Sequence, residues 1–123
     1  MTARHAFPQQ HRLLNAGDYQ RVFNQTAYKI SDHYLLILAS ISQEDQSRLG
    51  LVVSKRNVRL AINRNRVKRL VRESFRHQSQ FPISVDLIVL AHRGIGDLTN
   101  TNLHRLLERQ WQKLRKKLLK ITL

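Results

Sequence analysis

Cysteine is absent from the sequence, which excludes a disulfide framework and any thiolate metal centre. Acidic residues are scarce, with 8 Asp and Glu against 22 Lys and Arg. The acids are Asp18, Asp32, Glu44, Asp45, Glu73, Asp86, Asp97 and Glu108, and they are scattered. A protein nuclease needs clustered carboxylates for two metal ions, or a paired acid and base. Neither pattern is present, and the one adjacent pair, Glu44-Asp45, falls in a polar stretch read as a turn. The 6 histidines lack metal-ligand spacing. Gly94 and Gly96 are not followed by the lysine and serine of a phosphate-binding loop. No segment has the long apolar run of a membrane-spanning helix. Met1-Thr2-Ala3-Arg4-His5-Ala6-Phe7-Pro8 lacks the apolar stretch of a signal peptide. These absences predict a cytoplasmic protein without catalytic chemistry of its own.

What is present is positive charge. The formal net charge is +14 in 123 residues, of which 41% are hydrophobic. That length and composition predict one packed domain over 1–123, with residues 1–14 as a flexible basic arm. So large an excess of one sign repels itself in the folded state, so a polyanionic partner is expected. Nucleic acid is the default, since each neutralised phosphate releases counterions. An anionic membrane surface is the rival, and the lack of a spanning segment disfavours a membrane role.

Asn15 is placed to cap a short helix, with Asp18 in a capping-box-like position. Tyr19, Val22 and Phe23 would share one face of it. Tyr34–Ala39 reads as a strand, and Ser42–Ser47 turns the chain. Leu49–Ser54 reads as a second strand, in a hairpin with the first. A basic helix over about 60–77 follows, then a strand at Val85–Ala91 and a loop at Arg93–Asp97. The last helix starts at Asn100 or Thr101 and runs to about Lys120, with Leu103, Leu106, Leu107, Trp111, Leu114 and Leu118 as its core stripe. Strands and helices in this order predict an α/β fold, a small sheet with helices packed against it.

The basic helix carries the functional signal. Lys55 to Arg76 holds Lys55, Arg56, Arg59, Arg64, Arg66, Lys68, Arg69, Arg72 and Arg76 against one acid, Glu73. At about 100° per residue, Asn65, Lys68, Arg69, Arg72 and Arg76 fall within a third of the circumference. Val67, Leu70, Val71 and Ser74 lie opposite, with Phe75 at the border. Most charge runs are solvated faces, but those mix Glu with Lys to relieve repulsion. This one barely does, and like charges at these spacings oppose the helix slightly. Arginine also outnumbers lysine, and its planar fork suits phosphates and base edges. The face predicts nucleic-acid contact.

Lys55-Arg56-Asn57-Val58-Arg59, followed by Asn63-Arg64-Asn65-Arg66-Val67-Lys68-Arg69-Leu70-Val71-Arg72-Glu73-Ser74-Phe75-Arg76, closely resembles the signature of the bacterial ribonuclease P protein component family. Leu49–Ser54 and Asp86–Ala91 resemble the strands that flank it, and Tyr19–Phe23 the family's first helix. The resemblance spans about residues 12–118. Asn57-Val58-Arg59 departs from a shorter, glycine-containing turn of other branches, and Tyr19 stands where phenylalanine is frequent.

The resemblance implies a two-layer fold, a small mixed sheet with helices on one face. It also implies a left-handed β-α-β crossover, against the usual right-handed rule. Contact with the catalytic RNA falls to Lys55, Arg56, Arg64, Asn65, Arg66, Lys68, Arg69 and Arg72. A cleft between the first helix and the open sheet face would take the 5′ leader of precursor tRNA. Tyr19, Phe23 and Tyr34 would stack its bases there, and Arg21 and Lys29 are candidate phosphate contacts. Without the family, Tyr19 and Phe23 would read as plain core. The implied function is an auxiliary subunit of a ribonucleoprotein endoribonuclease, one protein per RNA, in which the RNA hydrolyses the leader and binds most of the Mg²⁺. The alternative is a structural RNA-binding protein of ribosomal type, which would share the charge but not the Arg64–Arg76 string. A DNA-binding regulator would need a helix-turn-helix pattern, which is missing. On this basis Arg64→Ala and Arg66→Ala are expected to weaken RNA binding and leave the fold intact, as assayed by RNA titration and thermal melting.

Overall fold

Val85–Ala91 is apolar at every position but Asp86, and the computed structural model makes it an interior strand of the sheet. The structure describes residues 12, 15–78 and 81–122. The expected basic arm therefore lies outside the described residues, except for Arg12. The elements are α1 (Ala16–Asn24), β1 (Tyr28–Ser31), β2 (Leu35–Ile41), β3 (Arg48–Val52), α2 (Ala61–Arg76), β4 (Val85–Ala91) and α3 (Asn100–Thr122), with a 3-10 turn at Ile95–Asp97. The four strands form one mixed sheet in the order β1-β2-β4-β3. β4 pairs antiparallel with β2 and parallel with β3.

This order corrects the expected hairpin, because β4 lies between the two strands that were to pair. Every β4 side chain except Leu90 is buried, so β4 cannot sit at an edge exposed to water. The polar linker from Ser42 to Ser47 accordingly spans the width of a strand. It is tied to the start of β4, where Ser42 N donates to Ser84 O at 3.0 Å. Ser84 Oγ donates to Asp45 O at 2.9 Å, and Val85 N donates to Ser47 Oγ at 2.9 Å. β1 was not anticipated from sequence. It is a four-residue edge strand in which Lys29 and Ser31 are exposed, paired antiparallel with β2.

Alternate strand residues separate two cores. Leu35, Ile37 and Ala39 of β2, Leu49 of β3 and Val85, Leu87, Val89 and Ala91 of β4 pack under α2 and α3. From the helices come Val67, Val71 and Phe75, and the expected stripe from Leu103 to Leu118 with Trp111. Trp111 Nε1 donates to Ser74 Oγ at 2.8 Å, which satisfies both polar groups inside the helix–helix contact. The mixed sheet with α2 and α3 on one face is the expected architecture. The helix α1 is the exception, packing Val22 onto Leu38 and Ile88 on the opposite face.

Asn15 caps α1 as expected, its side chain accepting from Asp18 N at 2.9 Å. Tyr19 lies over Gly50, where an added Cβ would stand 2.8 Å from the ring, so only glycine permits the contact. On the same face Arg48 grips Asp86 through Nε and Nη2 at 3.0 and 2.9 Å, and lies 3.9 Å from Asp18 of α1. Asp86 and Asp18 are buried. The bond to Asp86 raises the Arg48 pKa above its ordinary value, against the opposing effect of burial. We expect Arg48→Met to cost about 3–5 kcal/mol in urea unfolding, because buried carboxylates lose their counter-ion. Adding Asp86→Leu should recover part of the loss.

Candidate nucleic-acid interface

The helix α2 is held with its apolar stripe down. Val67, Val71, Ser74 and Phe75 are buried, while Asn65 and Arg69 are exposed and Lys68, Arg72 and Arg76 are half-exposed. The cationic strip deduced from periodicity is therefore real. Lys55, Arg56 and Arg59 extend it into the preceding turn, where all three are exposed.

That turn is anchored by its own polar groups. Val58 N donates to Ser54 O at 2.9 Å, and Asn57 Nδ2 donates to Ala91 O at 2.8 Å at the end of β4. Asn57-Val58-Arg59, the departure from the glycine-containing turn, thus has a defined structure. Leu60 is the N-cap of α2 and offers no side-chain cap.

Arg64 and Arg66 behave differently from the rest of the strip. Arg64 Nη1 donates to Val58 O at 3.0 Å and Arg59 O at 2.8 Å, closing the turn onto the helix. Arg66 donates through Nη1 to Asn100 Oδ1 at 2.8 Å and through Nη2 to Gly96 O at 2.7 Å. It therefore clasps α2 to the start of α3. Both therefore also have a structural part beside the expected RNA contact, Arg64 on two main-chain carbonyls and Arg66 on one and on the Asn100 side chain.

Arg72, half-exposed, lies within electrostatic reach of Arg12 and Tyr19. Burial, then the charge of Arg12, lower its pKa, while Tyr19 acts in the opposite sense. Arg12 itself bridges to Leu49 of β3. The strip on α2 and the α1 face of the sheet consequently meet around the β3 edge.

Tyr19 is half-buried, and its hydroxyl accepts from Leu51 N at 3.1 Å. Phe23, one turn later, is 46% exposed. Arg21 is 3.6 Å from Asp18. Lys29 is exposed and pairs with Leu38, so it projects on the face that α1 covers. These residues border one side of the sheet. Tyr34 does not join them, because it packs on the larger core, against Gly94 and edge-on to His33 at 4.8 Å. The sequence also gave no warning of Leu60 and Ile62, which are 56% and 75% exposed beside the basic turn. Among the described residues no group of three or more His, Asp or Glu converges on a point where a metal ion would bind. No described helix is long and apolar enough to cross a membrane.

A small basic α/β protein, presenting one cationic helix face from a mixed sheet, is the class that this fold and surface define. The chain belongs to the ribonuclease P protein family, whose model, described as Ribonuclease P, matches residues 7–115. It is 50% identical over 119 residues to the ribonuclease P protein component of Marinomonas sp. (strain MWYL1), covering 96% of this chain and 89% of that one. It is 52% identical over 110 residues to the corresponding protein of Chromohalobacter salexigens, covering 89% and 86%. Among solved structures, the Staphylococcus aureus RNase P protein superposes with a TM-score of 0.77 at 27% identity, covering 85% of this chain and 94% of that one. The Thermotoga maritima RNase P protein superposes with a TM-score of 0.69 at 25% identity, covering 86% and 96%.

The clasp makes a prediction. Arg66→Ala should lower unfolding free energy by about 1.5–3 kcal/mol, the usual worth of hydrogen bonds to a charged group. Arg69→Ala, exposed and with no such bond to another described residue, should leave the urea midpoint unchanged.

Proposed function

We propose that the chain is the RNA-binding subunit of ribonuclease P, assisting a catalytic RNA in removing the 5′ leader of precursor tRNA. The observation that carries this is the outward face of α2. Asn65, Lys68, Arg69 and Arg72 present donors there, and Lys55 and Arg56 continue them along the turn. Glu73 is the one acid in this stretch. Each guanidinium offers a planar fork to a phosphate. Asn65 is free to bond a phosphate oxygen, a 2′-hydroxyl or a base edge. Arg64 and Arg66 shape this surface from within. They set the turn and hold α2 on the α3 side, while their remaining donors border the RNA-facing strip.

The leader is assigned to the α1 face, with stacking at Tyr19 and Phe23 and phosphates near Arg21 and Lys29. Sequence-tolerant stacking suits a leader of variable sequence. Phe23 is the better exposed of the two rings, and Tyr19 is held against Gly50. Tyr34, packed into the larger core, is left out of this assignment.

Hydrolysis is assigned to the RNA, and Mg²⁺ with it. Asp18 and Asp86, the buried acids among the described residues, face Arg48 and are not arranged to hold an ion. The protein's part is to neutralise phosphates and bind substrate. One protein per RNA is the stoichiometry that a single strip supports.

The test is reconstitution. Added to a bacterial ribonuclease P RNA, the purified chain should lower the Mg²⁺ concentration required for cleavage of precursor tRNA. The chain free of RNA should produce no mature 5′ end at any Mg²⁺ concentration, and site-specific cleavage by it would overturn the proposal. Arg69→Ala should weaken binding to the RNA and flatten the log–log salt dependence by about one unit of slope. Unchanged affinity and slope would take α2 out of the interface.

A further inference from the structure

The turn before α2 and the 3-10 turn at Ile95–Asp97 flank a half-open cavity of about 310 Å³. Its size is at the lower end for small-ligand pockets, about 300–1,000 Å³, and suits a single planar ring system. One wall is apolar. Val58 is buried and abuts Gly96 so closely that an added Cβ would stand 2.9 Å from Val58 Cγ1. Leu60 lies at the rim, more than half exposed.

Four polar side chains also line the cavity; that of Asn57 is engaged with Ala91 O, which leaves those of Arg59, Asn63 and Asp97. None of the three has a side-chain hydrogen bond or ion pair with another described residue, and the carboxylate and the guanidinium are not paired with each other. The Gly96 carbonyl, by contrast, is already taken by Arg66. The cavity therefore offers an acceptor at Asp97, donors at Arg59 and Asn63, and an aliphatic surface. A phosphate would meet the Asp97 carboxylate, and a metal ion would meet the Arg59 guanidinium. A neutral, flat ligand with donors on one edge and acceptors on another meets neither obstacle. Guanine has that pattern, with N1–H and N2–H₂ as donors and O6 and N7 as acceptors, the pair that arginine reads.

Building on the function proposed above, we infer that this cavity takes one unpaired guanine base of the catalytic RNA. Asp97 accepts from N1–H and N2–H₂, Arg59 and Asn63 donate toward O6 and N7, and Leu60 and Val58 cover the ring. Unpaired bases splayed from loops and bulges are what proteins read in RNA. The neighbouring exposed Lys55 and Arg56 are placed for the flanking phosphates.

The full chain would be titrated with short oligouridines carrying one central guanine, adenine or uridine, with binding followed by fluorescence anisotropy. The guanine oligomer should bind about tenfold tighter than the all-uridine one, the discrimination of one good paired contact. Asp97→Asn exchanges one of the two carboxylate acceptors for a donor, which breaks the paired contact to N1–H and N2–H₂ and should bring the three oligomers to near parity. It also removes a negative charge, so electrostatics alone would tighten binding to all three equally. Lost preference thus reads the base contact and not the charge, and circular dichroism would confirm an unchanged melt. On the catalytic RNA, kethoxal, which attacks N1 and N2 of unpaired guanine, should find one guanine protected by the native chain and open with Asp97→Asn. Equal affinities for the three oligomers, a preference that survives Asp97→Asn, or protection of a leader guanine instead would each overturn the inference. If the native chain still lowers the Mg²⁺ requirement in that case, the proposed function stands and only the guanine site falls. A chain that neither binds nor activates the RNA overturns both.

Discussion

Because β4 is buried on both faces, it must be covered above and below and paired along both edges. The rest of the architecture follows from that constraint. With β2 on one side and β3 on the other, β3 and β4 run parallel and adjacent. Parallel neighbours need a crossover, and α2 is the helix that makes it. The crossover lays α2 across the sheet with its apolar stripe down, which leaves its cations facing outward. Presentation of the cationic strip is thus a consequence of where one strand is buried.

Charge is distributed according to what each group can find. Arg48, buried, is matched by Asp86 and Asp18, and this ties α1 to the far face of the sheet. Arg64 and Arg66 turn to carbonyl oxygens, a neutral solution that uses their geometry without adding acids to the surface. Lys68 and Arg69 make no such bond to another described residue. The surface thereby separates cations that build the protein from cations available to a polyanion, within a single helix.

Much of this was legible in the sequence, and the exceptions have physical causes. The face of α2 could be read because a 3.6-residue period survives any tertiary arrangement. The cap at Asn15 was also legible, being a contact within one turn. The hairpin was not, since strands adjacent in sequence usually pair and only burial of β4 on both faces overrides that default. β1 went unseen because four residues containing Lys29 and Ser31 carry too little apolar pattern. The bonds of Arg64 and Arg66 were invisible for another reason, that main-chain carbonyls leave no trace in side-chain identity. The placement of Tyr34 escaped because it precedes the regular alternation of β2. The cavity beside α2 joins residues some 40 positions apart, beyond any local pattern.

The strand order also bears on how the chain comes off the ribosome. β2 and β3 are made early, but the strand that separates and pairs them is the last to be made. Until Ala91 has emerged, two apolar strands lack their shared neighbour, and the crossover helix lacks most of its floor. The nascent chain cannot settle strand by strand and must hold these edges open, at risk of joining another chain, until β4 has been made. Assembly of the sheet is then a late, concerted event dominated by contacts distant in sequence, which places this small protein among the slower folders for its size.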